Sequence, residues 1–156
     1  MPYNIVGQRE LNNVKVLMRM FNFTGEGEPC AYCGVYATER EHVIPKSWIH
    51  QMMLNYSGGI PVKIPNEIIV KSCRECNAFA SSKVFSSFSK KKEYIKNKVE
   101  QKYKKYLRGG LWNDEELAEL SGTLLTYIYA CNEVKKLVLR RLVYLSNPNP
   151  ISLKII

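Results

Sequence analysis

The sequence has no apolar run near the roughly 18 residues that a membrane-spanning helix needs, and its first residues lack a charged-then-apolar leader. It also has no internal repeat and no low-complexity stretch. These absences and the composition exclude spanning, low-complexity, collagen-like and wholly disordered readings and predict a soluble, cytoplasmic protein. Acidic side chains are few: 14 Asp and Glu stand against 23 Lys and Arg, and there are only two histidines. What is present is ordinary globular material. The chain has 156 residues, 46% hydrophobic and 24% charged, enough for one domain with a buried core.

The positive excess is concentrated. Residues 1–82 carry a net charge of +1, residues 109–156 are neutral, and residues 83–108 carry +8. One sixth of the chain therefore holds nearly all of it. A polyanion with a defined docking surface is one reading, and a solvated lysine-rich helix face is the other.

Apolar residues recur at helical spacing over residues 8–22, through Leu11, Val14, Met18 and Phe21. The pattern then disappears until the second half. Residues 37–45 suit an extended segment stopped by Pro45, residues 47–56 a short helix, and Ile68-Ile69-Val70 a strand. From Arg74 the pattern is helical, with Phe88, Ile95, Val99, Tyr103 and Tyr106 on one face and lysines on the other. Gly109-Gly110 ends this helix. Asn113 and Glu116 have the spacing of a capping box. A last apolar stripe runs from Leu117 to Leu145, with Gly122 placed to interrupt it.

Four of five cysteines form two pairs, Cys30-Ala-Tyr-Cys33 and Cys73-Arg-Glu-Cys76, separated by 39 residues. A two-residue spacer lets both sulfurs of a pair reach one ion, so two pairs complete the tetrahedron that zinc prefers. Disulfides do not suit a cytosolic chain, and a redox motif needs only one pair. A closed four-thiolate site is structural, so any chemistry must come from what lies between the pairs. Cys131 falls on the last apolar stripe and reads as a core thiol.

The intervening segment contains Glu41-His42-Val43-Ile44-Pro45, and the second pair runs directly into Asn77. CAYC, then EHVIPKS, then an asparagine, then CRECN together resemble the HNH endonuclease family, in its zinc-stapled His-Asn-Asn form. The resemblance covers residues 30–83. It implies a small ββα-metal core stapled by the four-cysteine zinc site; with the N-terminal helix and long C-terminal helices read from the periodicity, the expected fold is α+β. The organisation is then a single domain: 1–29 a helix and loop, 30–83 the core, 84–110 the basic helix, 111–156 a C-terminal helical segment.

The resemblance also implies roles. His42 matches the general base that activates water, a task that suits imidazole because its unperturbed pKa lies near neutrality. Glu41 and Asn77 match the oxygen ligands of a catalytic ion, for which Mg²⁺ or Mn²⁺ suits better than zinc. Asn66 matches the residue that tethers the loop behind the base. Arg74, Lys83, Lys90, Lys91 and Lys92 are the candidate phosphate contacts on a DNA partner.

Other residues have blander readings. His50 reads as a surface or packing residue, Trp48 and Trp112 as core or hinge aromatics, and Tyr94, Tyr103 and Tyr106 as packing against the final helix. Glu39 is either a supplementary ligand or a solvated strand carboxylate. The final apolar stripe is either a homodimer surface or the lid over the basic helix. The leading expectation is a metal-dependent HNH endonuclease or nickase. The competing ones are a non-catalytic zinc-ribbon nucleic-acid-binding protein and an adaptor built on the C-terminal helix.

Overall fold

The structure, a computed structural model, describes residues 7–21, 27–48, 50 and 69–147. It is a mixed fold of helices around one small antiparallel sheet. The expected N-terminal helix is α1 (Gln8–Met20), which buries Leu11 and Val14. The Phe21 N–H closes it onto the Leu17 carbonyl, and the Phe21 ring drops into the core.

Residues 29–36 form a tight hairpin around the first cysteine pair, closed by a bridge between Pro29 and Tyr36. The Cys30 N–H donates to the Val35 carbonyl at 2.7 Å, and the Gly34 N–H to the Cys30 carbonyl at 3.0 Å. Gly34 takes a left-handed φ of 76°. A β-carbon there would also lie 2.7 Å from the Tyr144 ring, so this turn suits glycine on two counts.

Strands β1 (Glu39–His42) and β2 (Ile69–Ser72) pair antiparallel, Glu39 opposite Ser72 and His42 opposite Ile69. Two strands of four residues are marginal alone. Here they are fastened at one end by the hairpin, whose Ala31 N–H donates to the Lys71 carbonyl at 2.9 Å. Beyond β2 the chain turns at once into α2 (Arg74–Ala80).

The expected continuous helix from Arg74 is in fact three. Ser81, at a left-handed φ of 44°, stops α2. Ser87 then accepts from the Lys90 N–H and starts α3 (Phe88–Lys102). A break at Tyr103 separates α4 (Lys104–Leu107), and Gly109 at φ 72° ends the run. Asn113 and Glu116 make the expected capping box on α5 (Asp114–Ala118). Gly122 does interrupt the last stripe, and α6 (Gly122–Ser146) starts there. At 25 residues, α6 is about 37 Å long and packs along α1, α3 and α4. Residues 46–48 and 50 are helical; the rest of the helix expected over 47–56, Ile68 and Asn66 lie outside the described residues.

The core gathers Val14, Phe21, Tyr32, Val35, Phe88, Ile95, Val99, Tyr103, Val134 and Val138, and all four paired cysteines sit within it. Tyr103 and Tyr106 are buried as expected, and Tyr94 is half-buried against the same core. Trp112 departs from expectation. Its backbone is held by Asn132 at 3.1 and 2.7 Å, but its ring remains exposed. Ile95→Ala and Val138→Ala remove side chains from the α3–α6 seam. Each is expected to cost about 2–4 kcal/mol by urea denaturation, with an unchanged m-value.

Candidate functional site

The two cysteine pairs arrive from different geometries. Cys30 and Cys33 flank the hairpin turn, whereas Cys73 is the N-cap of α2 and Cys76 lies in its first turn. The Cys76 N–H donates to the Cys73 sulfur at 3.5 Å, which holds the second pair open toward a common point. All four sulfurs lie within 4.8 Å of one another and all four residues are buried. Cys33 Sγ is 3.8 Å from Cys73 Sγ. A tetrahedron with the 2.3 Å arms of a zinc–thiolate site has edges of about 3.8 Å, so the group fits such an ion. A disulfide requires sulfurs near 2.05 Å, and these thiols are free.

Crowding divides the protons unequally among the four. Hydrogen bonds from Cys33, Cys73 and Cys76 lower the Cys30 thiol. Bonds from Cys30, Cys33 and Cys73, together with burial, raise Cys76. Four thiolates cannot share this space without a cation, and a dication deprotonates all of them.

Charged groups crowd the cluster. The Glu75 carboxylate accepts from Arg141 Nη1, Lys102 Nζ and the Tyr103 hydroxyl, each at 2.5 Å. Burial alone would raise Glu75; Arg141, Lys102 and Tyr103 outweigh it and hold the carboxyl below its ordinary range. Arg141 was not singled out by sequence reasoning. Its signal was position, because it continues the buried spacing of Val134, Val138 and Leu145.

On the sheet, alternation puts Glu39 and Glu41 on the inner face with Val70 and Ser72. Glu41 is 5% exposed, and its carboxylate meets the ammonium of fully buried Lys91 at 2.5 Å. Lys91 also donates to the Val43 carbonyl at 3.1 Å. Burial raises the Glu41 pKa, and Lys91 offsets that only in part. Asn77 turns to the other inner carboxylate, its Nδ2 donating to Glu39 Oε2 at 2.6 Å. The two oxygen donors expected to share an ion thus have separate partners: Glu41 meets Lys91, and Asn77 meets Glu39. Among the described residues, the four cysteines are the group able to hold a metal ion.

His42 lies on the outer face, half-buried and with its Nδ1 shielded from solvent, with Arg40 beside it and Ile69 and Lys71 opposite on β2. Arg40 and Lys71 were not among the sequence candidates. Their signal was the strand register, which a single sequence does not display. Lys91 and Lys92, by contrast, are corrected as phosphate contacts. Lys92 is 4% exposed and caps the end of α6, donating to the Tyr144 and Asn147 carbonyls at 3.0 and 3.1 Å. Arg74, Lys83 and Lys90 are exposed. Cys131 is half-buried against the core, its thiol pushed up by burial. Comparison with known proteins finds no match: no family model, no curated protein and no solved structure aligns with the chain.

Two outcomes follow from this geometry. The purified chain is expected to carry one equivalent of divalent metal, zinc by elemental analysis. Stripping it with a chelator should abolish the cooperative unfolding transition; an unchanged transition overturns the structural role. Lys91→Met should cost about 3–5 kcal/mol by leaving Glu41 buried and unpaired. The cost is also pH-dependent. A carboxyl whose folded pKa is raised contributes stability in full below its ordinary value of 4.5 and loses it as pH rises through the folded pKa. Without Lys91 that folded pKa rises further, so the Tm gap between variant and wild type should widen from pH 5 to pH 8.

Proposed function

We propose that the chain is an HNH-type nuclease that hydrolyses DNA phosphodiester bonds, with His42 as the general base. The observation that carries this reading is the β1–β2–α2 unit itself. An antiparallel pair runs directly into a helix, the four-cysteine group ties both ends, and a half-buried histidine ends β1. Zinc is the natural occupant of the cysteine group, as a staple and not as the reactive ion.

On this reading His42 accepts the proton of the attacking water. Arg40 and Lys71, on the same sheet face, hold the phosphate and oppose its growing negative charge. The resemblance implies a catalytic Mg²⁺ or Mn²⁺ as well. Glu41 as it stands does not fit that ion, because Lys91 occupies its carboxylate. Asn77 meets Glu39 through its amide nitrogen, and Glu39 lies on the face of the sheet opposite His42, so this pair does not fit that ion either. A second reading, a non-catalytic nucleic-acid-binding zinc protein, is favoured by that sealed Glu41.

Incubation with supercoiled plasmid and Mg²⁺ or Mn²⁺ separates the two. Nicking is expected from wild type, with a loss of 10²–10⁴-fold in His42→Ala and abolition by EDTA. Arg40→Ala and Lys71→Ala should each weaken DNA binding and flatten its salt dependence. Equal DNA binding by wild type and His42→Ala, without cutting by either, supports the second reading and rejects the first.

A further inference from the structure

We infer that Arg141 is the outer-sphere cation of the four-cysteine centre, neutralising the metal–thiolate charge and fastening the C-terminal helix α6 over the site. This does not depend on the nuclease reading. Arg141 lies 65 positions from Cys76 in sequence, yet its Nη2 donates to Cys76 Sγ at 3.7 Å. Its Nη1 donates to Glu75 Oε2 at 2.5 Å. The guanidinium lies 4.7 Å from the Phe21 ring centroid and 5.8 Å from that of Tyr103. The residue is 0% exposed.

Burying a guanidinium so completely is unfavourable unless strong negative charge faces it. Glu75 is not enough, because Lys102 and Tyr103 already bond its other oxygen. The remaining negative charge comes from the cysteines. A dication held by four thiolates carries two net negative charges, and Cys76, one of the four, is a direct acceptor from Arg141. Arginine suits this position because its fork donates in two directions at once, to carboxylate and to sulfur. Position in sequence alone does not account for the burial, since the neighbouring Arg140 is exposed.

Glu75 adds a constraint from inside the second pair. It sits between Cys73 and Cys76, so the same arginine grips both the Cys76 sulfur and the turn that presents it. Lys92 contributes more remotely, through its field on Cys30 and Cys33, while its ammonium is spent on the carbonyls of α6. Arg141 is therefore a positioning residue for the metal, acting through Cys76 and Glu75.

The test uses the full chain in its zinc and cobalt forms, with Arg141→Met, Arg141→Lys and a core variant outside the Arg141 contacts, Val99→Ala. Competition with a chromophoric chelator should show zinc affinity reduced about 10–100-fold in Arg141→Met and within about 10-fold of wild type in Arg141→Lys. The thiolate-to-cobalt charge-transfer band should move to lower energy in Arg141→Met, because sulfur without its cation gives up charge more readily. Val99→Ala should lower Tm but leave band and affinity unchanged. If Arg141→Met purifies unfolded, excess Zn²⁺ should restore its far-UV circular dichroism by mass action. Wild-type affinity and band position in Arg141→Met, or no refolding with excess zinc, overturns the inference.

Discussion

Four sulfurs from two distant pairs must meet at one point, and the first half of the molecule depends on that closure. The sheet it ties together has two strands of four residues each, too few to stand alone. Cys73 shows how economical the arrangement is. It directly follows β2, caps α2 with its sulfur, and is one of the four cysteines able to hold a metal ion. Moving it by one residue would shift strand end, helix start and sulfur together. Joining the pairs also closes a loop of 39 residues, whose entropy cost grows only slowly with length. A long insertion is thus compatible with a rigid frame at its ends.

The closure dictates the charge arrangement around it. As a metal–thiolate centre, which we infer, the cysteine group in its apolar core calls for cations, and ordinary surface residues cannot reach it. Arg141 is supplied by α6 and Lys92 by α3, and each also ties its helix to a neighbour. Glu41 and Lys91 form a second buried pair between β1 and α3. Such pairs contribute little net stability over apolar packing, but losing one partner strands the other. They fix which helix face meets which strand, and that is specificity more than strength.

Much of this was legible in the sequence. The cysteine spacing named the cluster, the periodicity named α1, α3 and α6, and Asn113 with Glu116 named the cap. What was illegible follows one rule. Phe88, Lys91, Lys92, Ile95 and Val99 are all buried on α3 at the spacing of a single stripe. A reading that assigns lysines to solvent by residue type misses that two of them occupy stripe positions. Arg141 repeats this on α6, in step with Val134, Val138 and Leu145. The breaks at Ser81 and Tyr103 were hidden for another reason: neither residue is a strong helix breaker, and tertiary packing sets the turns.

Position on a stripe also changes what the net charge of +9 means. Lys91, Lys92 and Arg141 are inside, bonded to Glu41, to helix-end carbonyls and to Glu75, so a polyanion would not touch them. The lysine-rich segment is accordingly less of a phosphate platform than its composition suggests. The outer face of the β1–β2 pair, by contrast, carries Arg40 and Lys71 around His42, with acidic Glu39 and Glu41 turned to the other side. Sorting strand charges by face puts the cations and the imidazole on one side of the sheet. On the proposed reading, the docking surface is set less by the number of lysines than by the two-residue period of one short strand.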